Sequence, residues 1–112
     1  MAVGNTPLFI GSVVATAALT HYRAATFAGA LPVAGANVQG FCRTGGAIGD
    51  RVPVDMLGST IAEASAAVAV GALLEVIATG QVVTRTPGAI LGRALTAAAA
   101  AGDQVEVFLI PN

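Results

Sequence analysis

The sequence predicts a mainly β fold, a small compact barrel-like domain built from a duplicated strand and hairpin unit. Two observations predict it. Apolar side chains recur at every second position in several short stretches, which is the spacing of half-buried strands. A pattern of Gly-Asp-x-Val-x-Val occurs at residues 49–54 and again at 102–107. At 112 residues the chain is long enough for one hydrophobic core and too short for two domains.

The repeat is longer than this pattern. Residues from about 20 to 57 return as residues from about 71 to 110, with matched glycines at offsets of 51, 52 and 53: Gly29 with Gly80, Gly40 with Gly92, and Gly49 with Gly102. The growing offset places the extra residues in loops, as expected for two copies of one unit. We therefore expect a single β domain over residues 20–112 and an N-terminal arm over residues 1–19, outside the repeat.

Within each copy, strands and turns can be assigned. Apolar residues alternate with others over residues 51–57 and 104–109. Each Gly-Asp pair, and likewise Gly29 and Gly80, predicts a turn. Pro53 has no N–H to donate, so its strand is expected to be an edge strand or to be bulged there, whereas the matching Glu106 has no such limit.

Two segments are ambiguous between helix and other structure. Thr60-x-x-Glu63 resembles a helix capping box, so Ile61–Val70 could be helical. The alternative, a strand over Thr60–Ala64 followed by a turn at Gly71, is favoured because the surrounding units are β. The alanine-rich run Thr96–Ala101 is too short for a stable helix and predicts a single helical turn or a compact loop. The chain should contain at most one or two short helical turns.

Composition limits the partners. Apolar residues make up 55% of the chain and charged residues 10%, against about 25% in an average domain, so part of the apolar surface is expected to face a partner. With a net charge of −1, no lysine and no tryptophan, nucleic-acid binding is not expected. No apolar stretch reaches the roughly 18 residues of a spanning helix, and no basic segment precedes the apolar N-terminus. We expect that the chain does not associate with membranes. We also expect that it is made in the cytoplasm and is not processed.

Residues suited to chemistry are few. His21 and Cys42 are the only residues of their types and could form a nucleophile pair oriented by Asp50 or Asp55, although each is more simply a packed or surface side chain. One cysteine allows no internal disulfide and no zinc site. The aspartates are too dispersed for a calcium loop, and Gly45–Gly49 lacks the lysine of a phosphate-binding loop. No cofactor and no metal are expected, and the chain is predicted not to be an enzyme.

The N-terminal arm contains the most concentrated apolar patch outside the repeat, formed by Pro7, Leu8, Phe9 and Ile10. Gly4-Asn5-Thr6-Pro7 before and within it indicates a turn or an extended segment. An extended apolar arm must lie on another surface. We expect these four residues to contact a neighbouring protomer or another partner protein.

The second copy, from Gly92-Arg93-Ala94-Leu95-Thr96 through the alanine run to Gly102–Leu109, resembles the capsid cement, or head decoration, proteins of tailed bacteriophages. The resemblance continues through Gly40-Phe41, Gly49–Val54, Leu57-Gly58 and Gly71–Gly80, and covers about residues 20–110. Its pattern consists of small residues and β-branched strands and contains no catalytic motif.

This resemblance implies a β-tulip-like homotrimer on the outer surface of the virion capsid, between hexamers of the phage major capsid protein. The chain would be a non-enzymatic decoration protein that stabilises the expanded shell. Two alternatives stay open at this point. A small ligand-binding β-barrel would need a pocket with convergent polar groups, and a Cys-His hydrolase would need a reactive thiol at Cys42.

Overall fold

A computed structural model describes residues 6–110, and every regular element in that range is a β-strand. In chain order the strands are β1 Thr6–Val14, β2 Ala24–Ala25, β3 Gly40–Cys42, β4 Arg51–Glu63, β5 Leu73–Val76, β6 Val82–Thr84, β7 Gly92–Ala94 and β8 Gln104–Leu109. They form one curled, antiparallel sheet. The predicted mainly β, barrel-like fold is confirmed.

Strand β4 is the centre of the sheet. Its first part pairs with β1 and, at residues 54–55, with β3, and its last part, residues 59–63, pairs with β8. From β8 the order continues through β7 and β5 to β6, and β2 lies beyond β3. The 13 residues of β4 thus connect the strands of the first half of the chain to those of the second.

The two halves of the chain have the same ladder of register partners. Matching pairs are Val13↔Val52 and Ala62↔Val105, Gly11↔Val54 and Thr60↔Val107, and Phe41↔Asp55 and Arg93↔Phe108. The second part of β4 therefore corresponds to β1, and β8 corresponds to the first part of β4. This correspondence supports the predicted duplication and extends it further towards the N-terminus than the sequence indicated.

The segment expected to be an N-terminal arm contains the longest strand of the first half. Thr6–Val14 is β1, hydrogen-bonded along β4 of the same chain. The expected turn or extended segment at Gly4-Asn5 lies outside the described residues. Val13 is buried in the core, whereas Leu8, Phe9 and Ile10 are exposed. The apolar segment thus lies on its own sheet and presents a free apolar surface.

The Gly-Asp pairs form the predicted turns. Gly49 and Gly102 have φ of +93° and +88°, which a side chain would strain. In each turn the aspartate accepts backbone N–H groups, from Ala47 to Asp50 and from Ala99 and Ala100 to Asp103. The carboxylates thus cap their own turns.

Both ambiguous segments resolve without a helix. Thr60–Glu63 belongs to β4, and Ala64 continues with an isolated bridge to Val82, so the favoured strand is confirmed. The alanine-rich segment is a compact loop held by the pair of backbone hydrogen bonds between Ala98 and Val68. Within residues 6–110 no helix exists that could cross a membrane.

The expectation that Pro53 marks an edge strand is wrong, because β4 has strands on both sides. The ladder between β3 and β4 ends at Cys42↔Val54, one residue before the proline. Beyond that end, the Pro53 carbonyl accepts the N–H of Arg43. The missing N–H therefore removes no hydrogen bond from the ladder with β3, and on the other side of β4 Pro53 is the register partner of Ser12 in β1. In the second half, the N–H of Glu106 donates to the Thr96 hydroxyl instead.

The core consists of two clusters. The smaller one lies within the first half and contains Val13, Ala15, Leu19, Ala25, Cys42, Val52 and Val54. The larger one contains the second-half counterparts of these residues and also Ala24, Val38 and Phe41 from the first half. The larger cluster therefore joins the two halves.

Candidate functional site

The exposed apolar surface around β1 is the most prominent candidate site. Leu8 is 72% exposed, and Phe9 and Ile10 are also exposed, although all three lie within a regular strand. Pro7 is half-buried. The register slips on either side of Phe9, so that Leu8 has no register partner on β4. The exposed apolar residues predicted from the sequence are thus held in fixed positions.

Gly58 of β4 allows β1 to approach closely at this point. Its φ is +91°, and a Cβ at this residue would collide with the Thr6 carbonyl oxygen and lie 2.7 Å from the Leu8 nitrogen. Any side chain here would push β1 away from β4. Glycine is therefore required both for the backbone conformation and for the contact between the strands.

Leu95 and Phe108 extend the surface into the second half. Together with Thr6, Leu8, Gly58 and Ser59 they line a shallow groove of about 300 Å³. Phe108 is 52% exposed. The sequence analysis did not single out these two residues. A signal was present, however, because Phe108 occupies a solvent-side position in the alternating strand, where Gln104 and Glu106 precede it.

A polar network borders the groove. The Thr6 N–H donates to Ser59 Oγ at 2.8 Å, and that hydroxyl donates to Glu106 Oε2 at 2.9 Å. Ser59 is also the register partner of both Thr6 and Phe108. The start of β1 and the end of β8 are therefore fixed to the same residue of β4, which makes the apolar surface a preorganised one.

The residues of the candidate nucleophile pair do come together. A cleft of about 220 Å³ is lined by His21, Tyr22, Cys42, Arg43, Asp55, Thr60 and Ile61. The His21 ring stacks on Tyr22, with centroids 3.5 Å apart. Burial raises the pKa of the Cys42 thiol to about 11. The thiol is thus protonated at neutral pH, which is the reverse of what a nucleophile requires.

Asp55, the proposed orienter, has other partners. Its carboxylate accepts Arg43 Nη1 at 2.9 Å and the Thr60 hydroxyl at 2.7 Å, and the residue is buried. Asp50, the other proposed orienter, accepts a backbone N–H in its own turn. Both carboxylates therefore have structural partners.

The described residues include no group of metal ligands, and the cleft between the two halves is small. Among residues 6–110 no three His, Cys, Asp or Glu side chains are grouped as metal ligands. The cleft between the halves, lined by Phe41, Leu91 and Leu109 among others, has a volume of about 100 Å³. Ligand pockets usually have about 300–1,000 Å³.

Comparison with known proteins points to one family. A search among curated proteins found no match. A family model described as phage cement protein matches residues 8–109, which include most of β1, the groove residues Leu95 and Phe108, and nearly all of the sheet. The chain belongs to the phage cement protein family.

Proposed function

We propose that this chain binds as a homotrimer to the outer surface of the phage head, between hexamers of the major capsid protein, and stabilises the expanded capsid without catalysing a reaction. Family membership gives a capsid cement role and a location on the virion capsid. The exposed apolar surface around β1 supports the finer proposal. A low-charge protein with a rigid apolar patch is suited to holding other proteins together.

The contact with the capsid is assigned to the surface formed by Pro7, Leu8, Phe9 and Ile10 with Leu95 and Phe108. Five of these six side chains are exposed in the isolated chain. Covering them would remove apolar area from water, at roughly 25 cal/mol for each Å². The strand ladder already fixes the backbone, so little conformational entropy is lost on binding.

Stabilisation follows from selective binding. A protein that binds the expanded shell and not its disrupted form lowers the free energy of the shell by mass action. Three linked copies of one moderate contact give far tighter attachment than a single copy. The cement role therefore requires neither strong individual contacts nor chemistry.

The test is decoration of expanded heads that lack the protein. Purified chain should bind these heads and raise their disruption temperature in a thermal scan. Leu8→Ser combined with Phe108→Ser should abolish binding while the variant stays folded, with only a small loss of stability. Ile48→Ser is the matched control, because Ile48 is 73% exposed but lies in a turn beside the Val14 end of β1, at the opposite end of the strand from Leu8. If the double variant decorates heads as well as the control does, the assigned surface is wrong.

Point variants are preferable to truncation. Removing residues 1–12 would delete most of β1 and its ladder with β4. A truncated chain would lose decoration through unfolding as well as through loss of the contact. The serine variants remove only exposed side chains, and thus separate the two causes.

A further inference from the structure

Equivalent surfaces of the two halves are unequally covered. In the first half, Phe41 of β3 is fully buried, together with Ala24 and Val38. We call these three residues the Phe41 face. The register partners show that Phe41 corresponds to Arg93 and Ala24 to Leu73. The counterpart of the Phe41 face is therefore Leu73, Ile90 and Arg93, the Arg93 face, which lines an open groove of about 590 Å³.

The surface that covers the Phe41 face belongs to the second half. Val82, Leu91 and Leu109, called the Leu91 surface, are buried in the same cluster as Phe41, Ala24 and Val38. Phe41, Val38, Leu91 and Leu109 also line one narrow cleft. The first half thus packs one of its faces onto the second half.

The first half has its own version of the Leu91 surface. Leu31, Gln39 and Met56 are the counterparts of Val82, Leu91 and Leu109, and we call them the Gln39 surface. The correspondence is fixed by matching backbone hydrogen bonds, such as Gln39 N–H to Ala25 and Leu91 N–H to Leu74. Leu31 is exposed, Gln39 and Met56 are half-buried, and the neighbouring Phe27 is 63% exposed.

The chain therefore has one internal contact between a face and a surface. The matching Arg93 face lines an open groove, and the matching Gln39 surface, which borders the internal cleft through Gln39 and Met56, is only partly covered. We propose that a second copy of this chain places its Gln39 surface on the Arg93 face, repeating between protomers the packing that joins the halves. Such a contact is heterologous, because each protomer uses two different surfaces. Heterologous contacts close into rings when the rotation permits. A ring of three rests on the homotrimer of the proposed function and would contain six similar half-units.

The two contacts differ in the pair of residues at their centre, and both members of the pair differ. Within the chain, Phe41 meets Leu91, an apolar pair suited to a permanent core. Between chains, the counterparts are Arg93 and Gln39, a polar pair that can form a hydrogen bond from the guanidinium to the side-chain carbonyl. Gln39 already donates through its Nε2 to the Ser12 carbonyl, which orients its Oε1 as the acceptor. Arginine and aromatic residues are enriched in protein interfaces, and Phe27 supplies the aromatic anchor.

The experiment measures the mass of the full-length chain by light scattering, at a series of concentrations, together with its unfolding temperature. Wild type should be a trimer, and Arg93→Glu and Phe27→Asp should shift the mass to that of a monomer. Both side chains are exposed, so the dissociated chain should still fold and unfold cooperatively, with an unfolding temperature lowered only by the loss of association. Ile48→Ser should remain trimeric. A wild-type monomer at the highest concentration, or trimers with both variants, would overturn the inference.

Cross-linking gives a second measurement that does not depend on mass. Gln39→Cys and Arg93→Cys are introduced into separate chains, which are then mixed and oxidised. A disulfide between the two variants is expected, with little product from either variant alone. Absence of the mixed product contradicts the proposed pairing. Binding of the same variants to expanded heads distinguishes the two proposals. Decoration by a protein without this interface overturns only the proposed interface. A wild-type trimer that fails to bind heads overturns only the proposed function.

Discussion

The ion pair in the middle of β4 gives the sharpest stability prediction. Asp55 is 2% exposed and accepts hydrogen bonds from Arg43 and Thr60 at 2.9 and 2.7 Å. A hydrogen bond to a charged group contributes about 1.5–3 kcal/mol, and a buried hydroxyl left without an acceptor costs about 1–3 kcal/mol. Arg43 is one-third exposed and regains water when the carboxylate is removed. Asp55→Ala should therefore lower the free energy of unfolding by about 2–4 kcal/mol.

Urea unfolding at a fixed protomer concentration measures this loss, and two controls define its origin. Phe108→Ala changes the equivalent position of the second half, but that side chain is half exposed and its loss should cost about 1 kcal/mol. Thr60→Val added to Asp55→Ala removes the unsatisfied hydroxyl and should restore about 1 kcal/mol. A cost for Asp55→Ala within about 0.5 kcal/mol of zero, or no recovery with Thr60→Val, would refute the reasoning.

Three further predictions concern single residues. Hydrogen bonds, above all from the Thr86 N–H, lower the pKa of Glu75. The bound carboxylate therefore contributes stability above the ordinary glutamate pKa and loses it as pH falls through the lowered value. The difference in urea midpoint between wild type and Glu75→Gln should be largest at neutral pH and shrink as the carboxylate becomes protonated in acid. Cys42, with its pKa raised to about 11, should react with iodoacetamide far more slowly in the native protein at pH 7 than in urea, and equal rates would contradict its burial. A Cβ at Gly40 would collide with the carbonyl oxygen of Asp55, and one at Gly92 with that of Phe108. Gly40→Ala and Gly92→Ala should therefore each lower the free energy of unfolding by about 3 kcal/mol or more. Gly71→Ala is the control and should lower it by only about 1–2 kcal/mol, because Gly71 has a φ of +83° but no atom within 4 Å.

The matched glycines made the fold predictable. Gly40 and Gly92 were matched in the sequence by spacing alone, and in the structure both lie where a neighbouring carbonyl leaves no room for a Cβ. The contact is with a neighbouring strand, but it restricts the residue type at a single position and is therefore visible in the sequence. The turns at Gly49 and Gly102 were predictable for the same reason, since a positive φ restricts the residue type at one position.

The position of β1 was not predictable in this way. Its counterpart is the second part of β4, and the two segments share little beyond alternation, with Ile10, Gly11 and Val13 matching Ser59, Thr60 and Ala62. What makes them equivalent is a register with a distant strand, which local sequence does not reveal. The same limit applies to Pro53, because whether a strand lies at an edge depends on where its neighbours end.

The candidate site has features that were predictable from the sequence and features that were not. The apolar character of Leu8, Phe9 and Ile10 was evident from sequence, but their exposure follows from the register slip beside Gly58. Leu95 joins them only because β7 places it beside the end of β8. A surface formed by segments about 90 residues apart cannot be assembled from periodicity.

Divergence between the halves explains how one chain can present different surfaces to solvent and to partners. Arg43 and Leu95 occupy equivalent positions, since their N–H groups donate to Pro53 and Glu106. Their neighbours Asp55 and Phe108 are also equivalent, so a partly buried ion pair in one half stands where an exposed apolar pair stands in the other. The shared ladder conserves the backbone, and thus any difference in binding must arise from such side chains. Replacing Arg43 or Asp55 by an apolar residue would remove a charged hydrogen bond. Replacing Leu95 or Phe108 by a polar residue would cost little stability. Variants of Leu95 and Phe108 should therefore affect attachment more than folding, which is the behaviour expected of residues retained for a partner.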